Sequence, residues 1–263
     1  MIRRDGSAAE QTPGQWILIS QVDHARLAGK LAEHWGGPGF SSLDPHDDLL
    51  WAITHHDDGW SPWEQAPDVD ANTGRPRQFI EMELVDSLEI WSGSIDAAAR
   101  HDPLSGHLVA VHFTVLARLS APWRKRHPNW PLVEEFLAKY DRLSQDWLQA
   151  WQAANPAENT PWRAERAYAH LRMFDNLSLW FCCALAECTE IVETPGGGDM
   201  RLVPTDPRHI RLTPWPLTVE SLNLEVSGRA VPIRRYTDRA ELAAAAAQPV
   251  TLRWQLTRDA PNR

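Results

Sequence analysis

The chain of 263 residues lacks the features that mark secreted, membrane-spanning and disulfide-rich proteins. Its three cysteines, Cys182, Cys183 and Cys188, lie close together on one predicted helix, which argues against a disulfide framework or a zinc ribbon. No apolar run is long enough to span a bilayer. Residues 1–14 have no apolar core of the kind that a secretory signal needs. We therefore expect a cytoplasmic protein with reduced thiols and no membrane partner.

Positive charge is also scarce, since 26 basic residues stand against 35 acidic ones and the net charge is -9. An acidic chain has no general attraction for phosphate backbones or anionic lipid surfaces. We therefore expect no nucleic-acid partner. A small-molecule substrate is favoured, because a local basic pocket would be enough to bind it even if it is anionic.

Hydrophobic periodicity predicts a mainly α fold with a small C-terminal β-rich appendage. Residues 1–14 are polar, contain Gly and Pro, and predict a flexible tail. Residues 15–190 predict a helical, metal-binding body, although the short apolar run at residues 16–19 is also compatible with a strand. Beyond the turn at residues 194–198, Leu222, Leu224 and Val226 alternate with polar residues. Residues 191–263 therefore predict an α+β appendage packed on the body.

Capping signals and helix breakers locate the predicted helices. The first begins at Gln21 and ends at the glycines of residues 36–39, and the second has Asp44 at its N-cap and runs to about His56. Residues 61–80 predict a long irregular loop, because they are rich in Pro and Gly. Further helices are predicted at residues 83–100, 104–120, 130–154 and 161–187.

Several polar residues fall on the inward faces of these helices: His24, His56 with its neighbour Asp57, His112 and Asp175. A carboxylate on a core face is unfavourable unless something compensates it, and a divalent cation compensates carboxylates and imidazoles together. Zinc, iron, manganese and nickel all accept these ligands. A single inward histidine is more often an ordinary core residue, and Asp175 alone could be a buried hydrogen-bonded carboxylate. The set as a whole favours a metal centre.

The order of these residues resembles the HD superfamily, whose pattern is a histidine, a His-Asp pair and a distant aspartate on successive helices. The segments Gln21-x-x-His24, His56-Asp57-Asp58-Gly59-Trp60 and His112-Phe113-Thr114 look more closely like a bacterial family catalogued as domain of unknown function 3891. The second resemblance covers most of the chain.

The HD resemblance implies an HD-like helical bundle and, usually, hydrolysis of phosphoesters or nucleotides. It implies that His24, His56, Asp57 and Asp175 hold the first metal ion. By the same resemblance His112, or less readily His107, is a further ligand or a phosphate contact.

The chain departs from the common HD pattern directly after the His-Asp pair. Trp60 stands where many HD hydrolases have lysine, so a usual phosphate-binding cation is missing. Asp58 adds a second negative charge and is open to three interpretations: a general base, a cap or partner of an arginine, or a surface residue. Asp58 and His112 are the candidate catalytic residues.

The leading hypothesis is a metal-dependent hydrolase that acts on a small phosphorylated metabolite or nucleotide. It would use a divalent zinc, manganese, iron or nickel ion, with a second ion left open, to make a bound water acidic enough to attack near neutral pH. One alternative is a di-iron oxygenase of the HD type, which needs six ligands, with His112 as the fifth and His107 as the sixth. Another is a non-catalytic binding or sensing module that keeps the metal pocket.

Overall fold

The computed structural model describes residues 1–124, 127–183, 188–245 and 248–258. The helices are α1 (Gln21–Glu33), α2 (His46–His55), α3 (Ser61–Glu64), α4 (Leu84–His101), α5 (Pro103–Arg124), α6 (Trp130–Ala154), α7 (Pro161–Cys182) and α8 (Arg239–Ala245). The strands are β1 (Ile2–Asp5), β2 (Gln15–Ile19), β3 (Glu190–Glu193), β4 (Asp199–Asp206), β5 (His209–Thr213), β6 (Ser221–Pro232) and β7 (Gln248–Arg258). Short 3-10 helices cover Asp58–Trp60 and Phe79–Glu81.

Local capping explains where α1 and α7 begin. The Ser20 side chain accepts a hydrogen bond from the backbone N–H of Asp23 at 2.8 Å. The Thr160 side chain accepts one from the backbone N–H of Arg163 at 3.3 Å, directly before the proline that opens α7. Such caps satisfy N–H groups that have no partner inside the helix. Both helix starts agree with the prediction.

The start of α2 lies one residue later than predicted, at His46. Asp44 does not cap this helix, because its side chain accepts a hydrogen bond from Arg163 Nε of α7 at 2.9 Å. A tertiary ion pair has therefore taken the carboxylate that the local pattern assigned to capping. The helices predicted between residues 83 and 187 correspond to α4–α7 within a few residues, and the predicted end at residue 187 lies outside the described residues.

Four helices surround the most deeply buried part of the core. α1 and α5 each pack against both α2 and α7. Apolar side chains on the inward faces of these helices, Leu27, Ile53, Phe113 and Phe174, are at most 2% exposed. Full burial of side chains of this size contributes about 1.5–3 kcal/mol each. The polar residues singled out above lie on the same inward faces.

A seven-stranded sheet in the order β1-β2-β6-β7-β5-β4-β3 packs against the helices. Its neighbouring strands are antiparallel except β5 and β7, which run parallel. β6 has the predicted alternation, because Leu222, Leu224 and Val226 are buried and the residues between them are exposed. α1 packs on β6, so it lies between the sheet and the other helices.

The predicted fold class, mainly α with a small appendage, is wrong. About 50% of the structure is helical, and the large mixed sheet takes strands from both ends of the chain, so the label all-α does not apply. Residues 1–14, predicted as a flexible tail, contribute β1, in which Ile2 pairs with Ile19 of β2. β2 in turn pairs with β6, where Trp16 lies opposite Val231. Strands of four and five residues carry too little alternation to be recognised, and β2 finds its second partner far along the chain.

The segment from residue 61 to residue 80 begins with the single turn of α3 and ends in the second 3-10 helix, with irregular chain between them. Among the described helices, none combines the length and apolarity of a membrane span.

Candidate metal centre

The four residues of the HD pattern meet in the core, where α1, the end of α2 and α7 converge. His24 Nε2 lies 3.0 Å from Asp57 Oδ2 and 3.5 Å from Asp175 Oδ1. His56 Nε2 lies 3.6 Å from Asp57 Oδ2 and 3.4 Å from Asp175 Oδ1. All four residues are buried. Ligand atoms of His24, His56 and Asp175 lie within 4.8 Å of one another, which is close enough for them to share one ion.

Hydrogen bonds on the far side of the two imidazoles orient them. Ser178 Oγ donates to the carbonyl of Asp175 (2.9 Å), so it accepts from His24 Nδ1, at 2.7 Å. His56 Nδ1 donates to the carbonyl oxygen of Ile53 at 2.8 Å. Both Nδ1 atoms therefore carry hydrogen, and in the neutral rings both Nε2 atoms present a lone pair to the centre. A metal-ligating histidine is commonly held in this way.

Mutual electrostatics dominate the ionisation of the cluster. Burial opposes the charge on His56, but the carboxylates of Asp57 and Asp175 outweigh it and raise the pKa of His56 to about 9. Burial raises the pKa of Asp175, but the close approach of His56 Nε2, at 3.4 Å, and the charges of the three histidines hold that pKa well below its usual range. The pKa of Asp57 is lowered in the same way by His56 and His24, against burial. The two buried carboxylates therefore need a positive charge among the cluster side chains to compensate them.

The donor set fits a divalent cation. His56 Nε2 is fully buried and has no hydrogen-bond partner, which is rare for a buried polar atom. It faces two carboxylates and another Nε2 atom, so with neutral rings the facing atoms are all acceptors. Imidazole nitrogen and carboxylate oxygen are the ligands that zinc, iron, manganese and nickel accept in proteins.

His112 of α5 borders the cluster at the other oxygen of Asp175. Its Nε2 atom lies 3.9 Å from Asp175 Oδ2, and its ring packs edge-on against that of His56, with centroids 5.4 Å apart. Burial lowers the pKa of His112, which keeps the ring neutral near pH 7. The structure thus brings the fifth predicted residue to the same place as the other four.

Two other predicted residues lie elsewhere. His107 faces α6, where its Nδ1 atom lies 3.0 Å from the carbonyl oxygen of Ser144 and 2.8 Å from Ser144 Oγ. The Asp58 side chain points to the surface and pairs with His55 Nδ1 at 2.9 Å, with about a third of each side chain exposed. Within the described residues, neither side chain contacts the cluster.

The Gly-Trp that follows the His-Asp pair has a packing role. A Cβ atom on Gly59 would lie 2.1 Å from the carbonyl oxygen of Ile90 and 2.4 Å from the backbone nitrogen of Ser94, both on α4. Only glycine allows this approach. Trp60 is 3% exposed and packs with Met82 and Ile90. Trp60, the residue that the HD resemblance aligns with a lysine, is therefore part of the core.

Gly59→Ala is expected to destabilise the protein by about 1–3 kcal/mol, because the added methyl must push two backbone segments apart. Gly196→Ala is the matched control, since a Cβ there meets nothing within 4 Å. Thermal or urea unfolding measures both. Equal midpoints for the two variants would show that the contact with α4 is not tight.

Ser178 is a site residue that the sequence analysis did not single out; its only sequence signal is its position one turn after Asp175. Ser178→Ala is expected to weaken metal binding about 10- to 100-fold, because His24 loses the group that orients its ring. Ser144→Ala is the control, as it removes a similar buried Ser–His contact, that of His107, outside the cluster. Titration against a competing chelator measures both affinities, and equal values would contradict the orienting role.

These features define a class: a protein of helices packed on a mixed sheet, with a buried histidine–aspartate cluster of metal-ligand type between the helices. The chain belongs to the family described as "Protein of unknown function (DUF3891)", which matches residues 8–233. The matched range contains all five cluster residues, and the predicted resemblance to this family is confirmed. Comparisons with curated proteins and with solved structures found no match.

Proposed function

We propose that this protein is a metal-dependent hydrolase of the HD type that acts on a small phosphorylated metabolite or nucleotide. His24, His56, Asp57 and Asp175 would hold one divalent cation. The proposal depends above all on the buried, unpartnered Nε2 atom of His56, which faces His24 Nε2 and two carboxylates.

The chemistry of the donor set supports hydrolysis. When bound, a divalent cation supplies Lewis acidity, which polarises a phosphoryl oxygen and lowers the pKa of water. The two carboxylates balance the charge of such an ion. Hydrogen bonds to Ser178 and to the Ile53 carbonyl fix the orientation of the two imidazole rings. His112 is kept neutral by burial, so its ring can hold a proton at one nitrogen while the other contacts an anionic oxygen or the ion.

The order of the ligands along the chain also supports the HD assignment. His24 on α1, His56 and Asp57 at the end of α2, and Asp175 on α7 have the spacing of the HD pattern, and their side chains converge. The seven-stranded sheet lies on the far side of α1 from this centre and contributes no residue to it.

The di-iron oxygenase is less well supported, because it requires six ligands. The cluster has five donor side chains, counting His112, and the candidate sixth, His107, faces Ser144. We therefore propose the hydrolase alone.

Elemental analysis of protein purified without added metal tests the proposal, followed by assay with phosphomonoesters, phosphodiesters and nucleotides. One zinc, manganese, iron or nickel ion per chain together with phosphoester hydrolysis is the expected result. Two irons per chain would favour oxygenation instead. A protein that takes up no divalent metal, even when it is supplied, would exclude both enzymes. Metal uptake without any turnover would favour a sensing module.

A further inference from the structure

A groove of about 780 Å³ lies between α1 and the sheet. Its lining comes from α1, β6, β7 and the β4–β5 turn with the first residue of β5. None of the five cluster residues is among its described lining residues. Small-molecule sites commonly have volumes of about 300–1,000 Å³. The groove therefore has the size of a ligand site, and it is separate from the metal centre.

α1 contributes different faces to the metal centre and to the groove. His24 points into the cluster, and its side chain is 1% exposed. Arg26 and Lys30 line the groove, and their side chains are 65% and 47% exposed. A ligand in the groove would therefore meet the outer, charged face of α1 and would not need to reach the metal.

The groove also has apolar lining residues. Leu27 of α1, Leu224 and Val226 of β6, and Trp254 of β7 line it, and each is at most 5% exposed. Small-molecule sites combine such apolar lining with a few polar groups that fix the ligand's orientation. The apolar residues can contact the organic part of a ligand.

A row of polar side chains crosses three strands in the groove. His209 of β5 pairs with Gln255 of β7, which pairs with Asn223 of β6, so the three side chains share one face of the sheet. All three line the groove. The side-chain amides of Asn223 and Gln255 form no hydrogen bond with any residue that the structure describes. Both amides are therefore available to a ligand.

Positive charge exceeds negative charge in the groove, although the whole chain has a net charge of -9. Its charged lining residues are four cations and two carboxylates: Arg26, Lys30, Arg208 and Arg253, with Asp23 and Glu225. The cations come from a helix, a turn and a strand, so they surround the groove. This local reversal of charge favours an anionic ligand.

The contacts of these cations leave them available to a ligand. The guanidinium of Arg208 donates to the carbonyl oxygen of Ala9 and forms no ion pair with any described residue. Arg253 lies 3.4 Å from Glu225, but both side chains are more than 60% exposed, and exposed ion pairs are weak. Arg208 and Arg253 also line an adjoining cavity of about 200 Å³, so they lie together at one end of the groove.

We propose that this groove binds a small organic anion, whose acidic group is held by Arg208 and Arg253 and whose apolar body lies against Trp254 and Leu27. Arginine matches the oxygens of carboxylate and phosphate groups by donating two parallel hydrogen bonds. The inference does not depend on the proposed hydrolase, because none of the metal-binding residues takes part.

The experiment compares two fluorescent dyes that have the same aromatic body. Anilinonaphthalene sulfonate is an anion, and phenyl-naphthylamine is its neutral counterpart. Fluorescence titration at low salt is expected to show one anionic dye per chain, bound at least about tenfold more tightly than the neutral dye, because several exposed cations contribute together. Higher salt should weaken binding of the anionic dye and leave that of the neutral dye unchanged.

Variants of the arginines locate the binding site. Arg208→Gln is expected to bind the anionic dye about three- to fivefold more weakly, and the combination with Arg253→Gln at least about tenfold more weakly. Arg208→Lys keeps the charge and should recover part of the affinity. Arg142→Gln is the matched control, since it removes the same charge from an exposed position on α6, outside the groove. It should bind like the unaltered protein.

Three results would overturn the proposal. The first is absence of stoichiometric binding of the anionic dye to the unaltered protein. The second is equal affinity for the two dyes, which would show that the acidic group is not recognised. The third is an equal loss in Arg208→Gln and Arg142→Gln, which would show an effect of overall charge. None of these results bears on metal content, so the proposed function is tested separately.

Discussion

Replacing Asp175 by asparagine is expected to weaken divalent metal binding by at least about 100-fold. Asp175 Oδ1 lies 3.4 Å from His56 Nε2 and 3.5 Å from His24 Nε2, so the carboxylate sits where an ion shared by the two imidazoles would be. The amide keeps the shape and one acceptor oxygen but loses the negative charge. Loss of an outer-shell partner typically weakens metal binding about 10- to 100-fold, so loss of the charge of a direct ligand should weaken it at least about 100-fold.

Metal-dependent thermal stabilisation measures this effect without knowledge of the substrate. A ligand at 100 times its dissociation constant stabilises a protein by about 2.7 kcal/mol, and most of this should vanish in Asp175→Asn at the same metal concentration. Asp58→Asn is the control, since it makes the same substitution in a carboxylate that pairs with His55 at the surface. If Asp175→Asn keeps full metal occupancy, then Asp175 is a hydrogen-bonded core carboxylate and the HD assignment loses its fourth ligand.

Replacing His56 by alanine is expected to abolish stoichiometric metal binding. His56 Nε2 is the one cluster atom that is buried without a hydrogen-bond partner, and it faces both carboxylates. Without the imidazole, Asp57 and Asp175 lose the positive charge that holds their pKa values low. Metal content after dialysis and a competitive chelator titration measure the loss.

The His56 variants need a control for folding, because removal of a fully buried ring leaves a cavity. His56→Gln fills more of that space and should also lose the metal, with a helical circular dichroism spectrum like that of the unaltered protein. His55→Ala, one residue earlier, removes a surface histidine that stacks on Trp51 with ring centroids 4.5 Å apart. It should keep the metal, and a similar loss in His55→Ala and His56→Ala would indicate that the end of α2, rather than a ligand, had been disturbed.

The candidate site could be read from the sequence because its signals are local. The 3.6-residue period places His24 with Leu27, and His56 with Ile53, on faces that must be buried. The same period places Asp175 on an inward face of α7. These relations hold within one or two turns of a helix, and the adjacent His-Asp pair adds a specific order along the chain.

The helical period of the sequence could not predict which buried face of a helix would contact the cluster. α5 packs against α4, α6 and α7, so both His107 and His112 are buried, and only the arrangement of the helices brings His112 to Asp175 and His107 to Ser144. Asp58 was ambiguous for a related reason. The 3-10 helix that begins at Asp58 directs the Asp58 side chain towards His55, and the α-helical period does not predict this direction.

The helices of the body, the strand alternation of β6 and the five inward polar residues could all be predicted from the sequence, since each depends on neighbours a few positions away. The size of the sheet, by contrast, depends on long-range pairing. β1 and β2 are too short for a recognisable pattern, and β2 is completed by backbone hydrogen bonds to β6 near the other end of the chain. The need for glycine at position 59 and the burial of Trp60 also depend on long-range packing, because both follow from how closely the chain after Asp57 approaches α4.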